Sequence, residues 1–230
     1  KSLYRDTEFR RRFKEETGAG ARNILADWAN RTAISVLPAD RALEERILGE
    51  VANERGVESI DLALDLSIES DFAARFRLPF LNYDHAEVGE LLGNEHTVLA
   101  LSDAGAHASQ LCDACYSTHF LGHWSRDEGV VELEQAVHML TQKPADVMGL
   151  HDRGRLAVGS PADLVVFDPQ TVGASGLQRV HDLPAGQDRL ISQPIGIEAV
   201  IVNGTVIRQG NRDTLDAGDA LPGNLLRRGA

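Results

Sequence analysis

Hydrophobic positions recur at two different spacings along this chain. Residues 5–17 are heavily charged, with Phe9 and Phe13 one helical step apart, and this pattern predicts a surface helix. A second helix is predicted from Asp40, which caps it, to about Asn53. Residues 60–68 alternate apolar and polar side chains as a strand does, yet they also place apolar residues four positions apart. That segment therefore fits either a strand or a helix.

Strands are predicted in the middle of the chain, with a helix between two of them. A short strand at 33–37 is stopped by a proline. Residues 72–80 alternate apolar and polar positions, residues 86–92 form a helical pattern, and residues 97–101 are an apolar run. The order strand, helix, strand is typical of a parallel sheet with crossover helices.

The last third of the chain changes from helix to strand. Residues 131–142 have apolar side chains at helical spacing, and Pro144 begins a second short helix that reaches Gly149. Residues 162–168 predict a strand. Residues 199–208 predict a hairpin, because the Asn-Gly pair at its centre is the strongest short-range signal for a tight turn between two strands.

Composition and charge exclude some classes of function. The 230 residues are 43% hydrophobic with a net charge of −12, and an acidic surface argues against nucleic-acid binding. No apolar run approaches the roughly 20 residues that span a bilayer, and residues 1–6 lack the apolar core of a secretory signal. We expect a cytoplasmic protein without a membrane partner. The chain begins without Met inside a charged helical pattern, so we expect a fragment, a processed chain or a trimmed chain.

Two cysteines, Cys112 and Cys115, form a Cys-Asp-Ala-Cys motif. A disulfide or half of a zinc site would fit this spacing, but a zinc knuckle needs a second pair that the sequence does not contain. The favoured interpretation is two reduced thiols.

Asp103 is the first candidate for chemistry, because it lies where the predicted strand 97–101 ends and a turn of small residues begins. Folds with a parallel sheet place their active sites at the carboxyl ends of the strands, and a carboxylate there can bind a metal or move a proton. The alternative is a turn or cap residue. His107, four residues later, is a candidate substrate contact, and a structural histidine is the alternative.

His119 and His123 lie four positions apart on one face of a predicted helix. The zinc-protease motif needs Glu directly after the first His, and Phe120 stands there instead. Metal binding at this pair is therefore disfavoured.

A series of motifs in the last hundred residues resembles the carboxy-terminal end of amidohydrolase-superfamily enzymes. They are, in order, Thr141-Gln142-Lys143-Pro144-Ala145-Asp146, Gly149-Leu150, Gly154-Arg155-Leu156, Gly159, Ala162-Asp163-Leu164-Val165-Val166-Phe167-Asp168 and Val202-Asn203-Gly204. Gly154 and Gly159 would bracket a strand-turn-strand that needs positive φ or close backbone approach.

The resemblance implies an α/β fold in which a (β/α)8 barrel is followed by strands of a small β-sandwich. Residues 1–152 would be the carboxy-terminal part of the barrel, including inserted helices, and residues 153–230 the small β domain and a polar tail. The resemblance also favours a helix at 60–68.

A second set of residues looks like the N-acyl-D-amino-acid deacylase (D-aminoacylase-like) branch. It comprises residues 101–107, Cys112-Asp113, Thr118, residues 182–186 and Arg189-Leu190. This resemblance implies hydrolysis of the amide bond of N-acyl-D-amino acids, which are small-molecule substrates, by a water activated by zinc. Asp103 would contact the metal and carry the proton.

The chain departs from that branch in its metal ligands. The His-x-His pair, the bridging side chain and the two further histidines of the family have no counterpart, nor does the His-Pro-Arg stretch after the aspartate. We therefore expect the chain to be inactive alone and to need the amino-terminal part of the barrel or a companion chain; a homo-oligomer is also compatible. The alternatives are another amidohydrolase, such as a dihydroorotase- or hydantoinase-like cyclic amidase, and a truncated module without catalysis.

Overall fold

A computed structural model describes residues 1–20, 27–79, 81–100 and 102–226, and of residues 18–20 only the backbone. The chain divides into two compact units, Lys1–Val88 and Gly89–Ala230. Each unit has its own buried apolar cluster. Among the described residues, no helix combines the length and the apolar character that crossing a membrane requires.

The first unit is mostly helical. Its elements are α1 (Ser2–Arg5), α2 (Thr7–Gly20), β1 (Ala33–Val36), α3 (Leu48–Arg55), α4 (Ser59–Glu69) and β2 (Arg75–Arg77), with short 3-10 turns at Trp28–Asn30 and Arg41–Leu43. Strands β1 and β2 pair antiparallel, with Ile34 opposite Phe76. Ile34 and Leu37 of this region pack with Leu48, Val51 and Leu66 of the helices to form the core.

The ambiguous segment 60–68 is a helix, as the resemblance favoured. Leu62, Leu64, Leu66 and Ile68 are all buried in α4. A helix satisfies its own backbone hydrogen bonds, whereas a strand at this position would need a neighbouring strand to do so. The helix can therefore bury apolar side chains on more than one side without leaving backbone groups unpaired.

The predicted helix from Asp40 to about Asn53 forms as two shorter pieces. The Asp40 carboxylate accepts a hydrogen bond from the Ala42 N–H and caps the 3-10 turn Arg41–Leu43. Helix α3 begins only at Leu48 and ends at Gly56, whose φ of 66° provides a left-handed cap. The prediction that Asp40 is a cap is confirmed, and the prediction of one continuous helix is wrong.

The predicted strands of a parallel sheet are largely not formed. Of residues 72–80, only Arg75–Arg77 are in a strand, and residue 80 lies outside the described residues. Asp71 and Phe72 have φ of 54° and 62°, which breaks the extended run at its start. Residues 97–100 form no ladder, and residue 101 is not described. All ladders between described residues are antiparallel, so the parallel barrel stays a prediction.

Helix α5 (His85–Gly93) contains the boundary between the units, and the second unit begins with helices. They are α6 (Tyr116–His119), a π-helix continuing it (Phe120–Asp127), α7 (Leu133–Leu140) and α8 (Gln142–Met148). Gly149 ends α8 with a φ of 73°. The core of the second unit contains Phe120, Leu121 and Val172. Gly122 lies so close to the backbone of Val172 that no Cβ would fit there.

Short strands follow the helices. They are β3 (Leu164–Phe167), β4 (Gly173–Ala174), β5 (Gln178–Val180), β6 (Arg189–Ile191), β7 (Pro194–Ile195), β8 (Ile197–Val202), β9 (Thr205–Gln209) and β10 (Arg212–Asp213), with a 3-10 turn at Pro184–Gly186. One four-stranded sheet has the order β10-β9-β8-β3; β4 pairs with β7, and β5 with β6.

The predicted Asn-Gly hairpin is confirmed between β8 and β9. Asn203 and Gly204 have φ of 45° and 78°, and Val202 lies opposite Thr205. Positive φ at both central residues is what the favoured two-residue turn requires. Gly154 and Gly159 also have positive φ, of 76° and 90°, but the residues between them do not form strands.

Candidate functional site

Asp103 and His107 lie on one surface turn, residues 102–111, which we call the Asp103 turn. Both side chains are exposed. Both residues have left-handed backbones, with φ of 51° at Asp103 and 46° at His107. This conformation is uncommon outside glycine and costs on the order of 1–3 kcal/mol per residue, so it persists only where the surrounding structure holds it.

Local hydrogen bonds define the shape of the Asp103 turn. The Asp103 carbonyl accepts from the Ala106 N–H at 3.0 Å. The His107 carbonyl accepts from the Gln110 N–H at 2.7 Å and from the Leu111 N–H at 3.2 Å. The Ser102 hydroxyl accepts from the Ala104 N–H at 3.2 Å. Each left-handed residue is thus followed by a closed turn.

The strand and the buried pocket that were expected beside Asp103 are not formed by the described residues. The residues that precede it, 97–100, are not a strand, and the carboxylate is exposed rather than set in a buried mouth. A parallel strand obtains its backbone hydrogen bonds from strands on its two sides. Without such neighbours, the described residues do not form the sheet edge that the sequence predicts.

A hairpin more distant in sequence contacts this turn. Strands β5 and β6 pair with Arg179 opposite Leu190. The Leu190 N–H donates to the Ala108 carbonyl at 2.8 Å. Arg179 Nη1 donates to the Ser109 carbonyl at 3.0 Å across 70 positions of sequence. The segment 178–191, part of which carries the deacylase resemblance, therefore packs on the Asp103 turn.

Ion pairs fix the charges on this hairpin. Arg179 donates to Asp188, and this bond holds the pKa of the Asp188 carboxyl below its usual value. Arg189 donates two hydrogen bonds of 2.8 Å to Asp182, which lower the pKa of Asp182 and raise that of Arg189. Carboxylates held ionised in this way are poor proton acceptors near neutral pH.

The side chains of His119 and His123 lie against each other. Their rings stack with centroids 4.8 Å apart, and His123 Nε2 lies 3.9 Å from Glu128 Oε1. His123 also meets the edge of Trp124, with centroids 4.9 Å apart. In the sequence, the one indication of this arrangement is that the two histidines are four positions apart. What it could not show is that His123 lies in a π-helix, an irregularity often found at functional sites.

The described residues do not complete a zinc site at Asp103. A catalytic zinc usually takes about three side-chain ligands. Within the described ranges, Asp103 belongs to no group of three or more side chains whose ligand atoms lie close together. Cys112 and Cys115 are free, half-buried thiols. Asp103 could supply one ligand at most, so no reaction step through a metal follows from this chain.

Comparison with known proteins identifies the family. The sequence profile of the amidohydrolase family named Amidohydro_3 matches residues 21–208, most of the chain. The chain belongs to the amidohydrolase family. The matched range includes Asp103, His107 and the hairpin 178–191.

Two relatives from Alcaligenes xylosoxydans xylosoxydans are named as deacylases of D-amino acids. D-aminoacylase is 32% identical over 183 residues, 79% of this chain and 34% of that protein. N-acyl-D-glutamate deacylase is 39% identical over 113 residues, 49% of this chain and 20% of that protein. The chain thus spans about a third or less of the length of these relatives.

A solved structure is also similar. It is the N-acyl-D-glutamate deacylase from Bordetella bronchiseptica, complexed with zinc and a phosphonate inhibitor. Its sequence is 25% identical, the match covers 88% of this chain and 39% of that protein, and the TM-score is 0.48.

Proposed function

We propose that this chain is the carboxy-terminal part of an enzyme that hydrolyses the amide bond of N-acyl-D-amino acids, with Asp103 as the group that carries the proton. The observation that carries the proposal is membership of the amidohydrolase family, together with two relatives named as D-amino-acid deacylases. The left-handed, supported backbone at Asp103 is consistent with a functional turn, because backbone strain clusters at such sites.

The architecture that accompanies this function is a (β/α)8 barrel with a small β-sandwich in the complete protein. Residues 1–152 would contribute to the barrel and residues 153–230 to the β domain. The four-stranded antiparallel sheet, whose strands lie between Leu164 and Asp213, supports the second part. The barrel strands would gain their neighbours from the remaining two thirds that the relatives possess.

The chemistry assigned to Asp103 follows from the amide bond itself. A water that attacks the carbonyl carbon must lose a proton, and the departing amine must gain one because an amine anion is a poor leaving group. A single carboxylate that accepts the first proton and delivers it to the nitrogen meets both needs. His107, on the same turn, would contact the substrate.

Zinc is part of the proposal only for the complete protein. The Bordetella relative was solved with zinc, and Asp103 would be one ligand. The other ligands would come from outside this chain, since its sequence has no His-x-His pair. A companion chain or the amino-terminal part of the same protein could supply them.

The test uses the complete gene product with N-acetyl-D-amino acids, N-acetyl-L-amino acids and dihydroorotate as substrates. Asp103→Asn is the decisive variant, because Asn tolerates the left-handed backbone but cannot carry a proton. We expect kcat to fall about 100-fold to 10,000-fold.

Asp71→Asn is the matched control, since Asp71 is also exposed with a φ of 54°. It should keep the full rate. Full activity of Asp103→Asn would refute the role of Asp103. Hydrolysis of dihydroorotate alone would refute the substrate class.

A further inference from the structure

The β5–β6 hairpin, residues 178–191, holds the backbone of the Asp103 turn at two consecutive carbonyl groups. Ala108 and Ser109 directly follow the left-handed His107, and their carbonyls accept from Leu190 and Arg179. We propose that Arg179 is a positioning residue that keeps the Asp103 turn in its left-handed shape. This inference rests on the proposed function, because positioning matters for catalysis only if Asp103 carries the proton.

The strain in the turn explains why an external support is needed. Asp103 and His107 both have φ near 50°, a conformation that is uncommon for residues with side chains. Relaxation at His107 would rotate the peptide groups that follow it. Because the two carbonyls after His107 are bonded to the hairpin, that rotation would break both bonds together.

Arg179 is suited to this task by its charge and by its own partner. Nη1 makes the bond to the Ser109 carbonyl and also the bond to the Asp188 carboxylate. Asp188 is a carboxylate whose pKa Arg179 lowers below its ordinary value, so both partners of the ion pair are charged at neutral pH. The ion pair fixes the guanidinium, and a charged donor makes a stronger bond to a carbonyl than a neutral donor does.

Arg208 offers a matched comparison elsewhere in the same unit. Its Nη1 pairs with Asp213 at 2.9 Å and its Nη2 donates to the Asn211 carbonyl. The Arg179 and Arg208 side chains are 23% and 29% exposed, respectively. Among the described residues, however, the Arg208 side chain bonds within its own hairpin, three and five positions away. Its loss should therefore leave the Asp103 turn unchanged.

Hydrogen exchange in the complete protein tests the positioning directly. In Arg179→Ala, the amides of Ala106, Gln110 and Leu111 should exchange about tenfold faster or more, because the turn opens more often. In Arg208→Ala they should exchange as in the wild type. Arg179→Lys should restore most of the protection, since both bonds come from one nitrogen and an ammonium can make both. Unchanged exchange in Arg179→Ala, or equal acceleration in both alanine variants, would overturn the inference.

Kinetics then separate positioning from simple stability. Arg179→Ala should lower kcat by up to about 100-fold through displacement of Asp103, the effect of a movement near 1 Å, and should also raise KM because His107 moves with the turn. Arg179→Lys should recover most of kcat, and Arg208→Ala should keep it. If exchange accelerates but kcat does not change, the positioning role is refuted. If the wild type hydrolyses no N-acyl-D-amino acid, the proposed function fails, and exchange still decides whether Arg179 holds the turn.

Discussion

Gly154 and Gly159 allow backbone strain to be measured separately from steric overlap. Both have positive φ, of 76° and 90°. A Cβ at Gly154 would lie 2.7 Å from the Thr141 carbonyl oxygen and 2.8 Å from Gln142 Cα. A Cβ at Gly159 would have no atom within 4 Å. Alanine at either position is therefore strained, but only at Gly154 does it also meet fixed backbone.

The magnitudes follow from this difference. Alanine at positive φ costs about 1 kcal/mol in free energy of unfolding, and that is the whole cost expected for Gly159→Ala. Forcing a methyl group against packed backbone adds about 1–3 kcal/mol. Gly154→Ala should therefore lose about 2–4 kcal/mol in total. For a chain of this size each kcal/mol lowers Tm by about 2–4 °C.

Thermal and urea denaturation of the two variants, monitored by circular dichroism, measures these losses in the free energy of unfolding. The connection at Thr141 between helices α7 and α8 should remain intact in Gly159→Ala and be displaced in Gly154→Ala. Equal losses in the two variants would show that the close approach at Gly154 has no energetic consequence, and the reasoning from the overlap distances would be refuted.

The remaining predictions concern the first core and the charged hairpin. Leu66 is 2% exposed, and Leu66→Ala should lower the free energy of unfolding by about 2–5 kcal/mol in urea titrations. Leu91 is 57% exposed, and Leu91→Ala should change the free energy of unfolding by less than about 0.5 kcal/mol. Similar losses in the two variants would contradict the assigned core. Asp188 has a pKa lowered below its ordinary 3.8 by Arg179, so its contribution to stability is present above that value and is lost as the pH falls through the folded-state pKa. Asp188→Asn should therefore be less stable than the wild type at neutral pH, and the difference should vanish in acid; a difference that persists in acid would refute the ion-pair explanation.

Sequence signals for turns and helix ends were reliable where the backbone preference depends only on residues adjacent in sequence. The Asn203-Gly204 turn formed because its backbone preference is intrinsic to those two residues. Gly149 ends its helix for the same reason. The alternating segment 60–68 shows the limit of such signals: its pattern fits two structures, and the helix follows from the packing of Leu62 and Leu66 in the first core.

By itself, the sequence determined the family, the turn and cap residues, and Asp103 and His107 as candidates on one short segment. It predicted a strand at 97–101, of which residues 97–100 are not a strand in this chain, because whether an apolar run becomes a strand depends on neighbours that supply its backbone hydrogen bonds. Only the tertiary structure decided what supports the Asp103 turn. The two carbonyls that follow His107 are held by Arg179 and Leu190, and hydrogen bonds between residues that far apart exist only once the chain has folded.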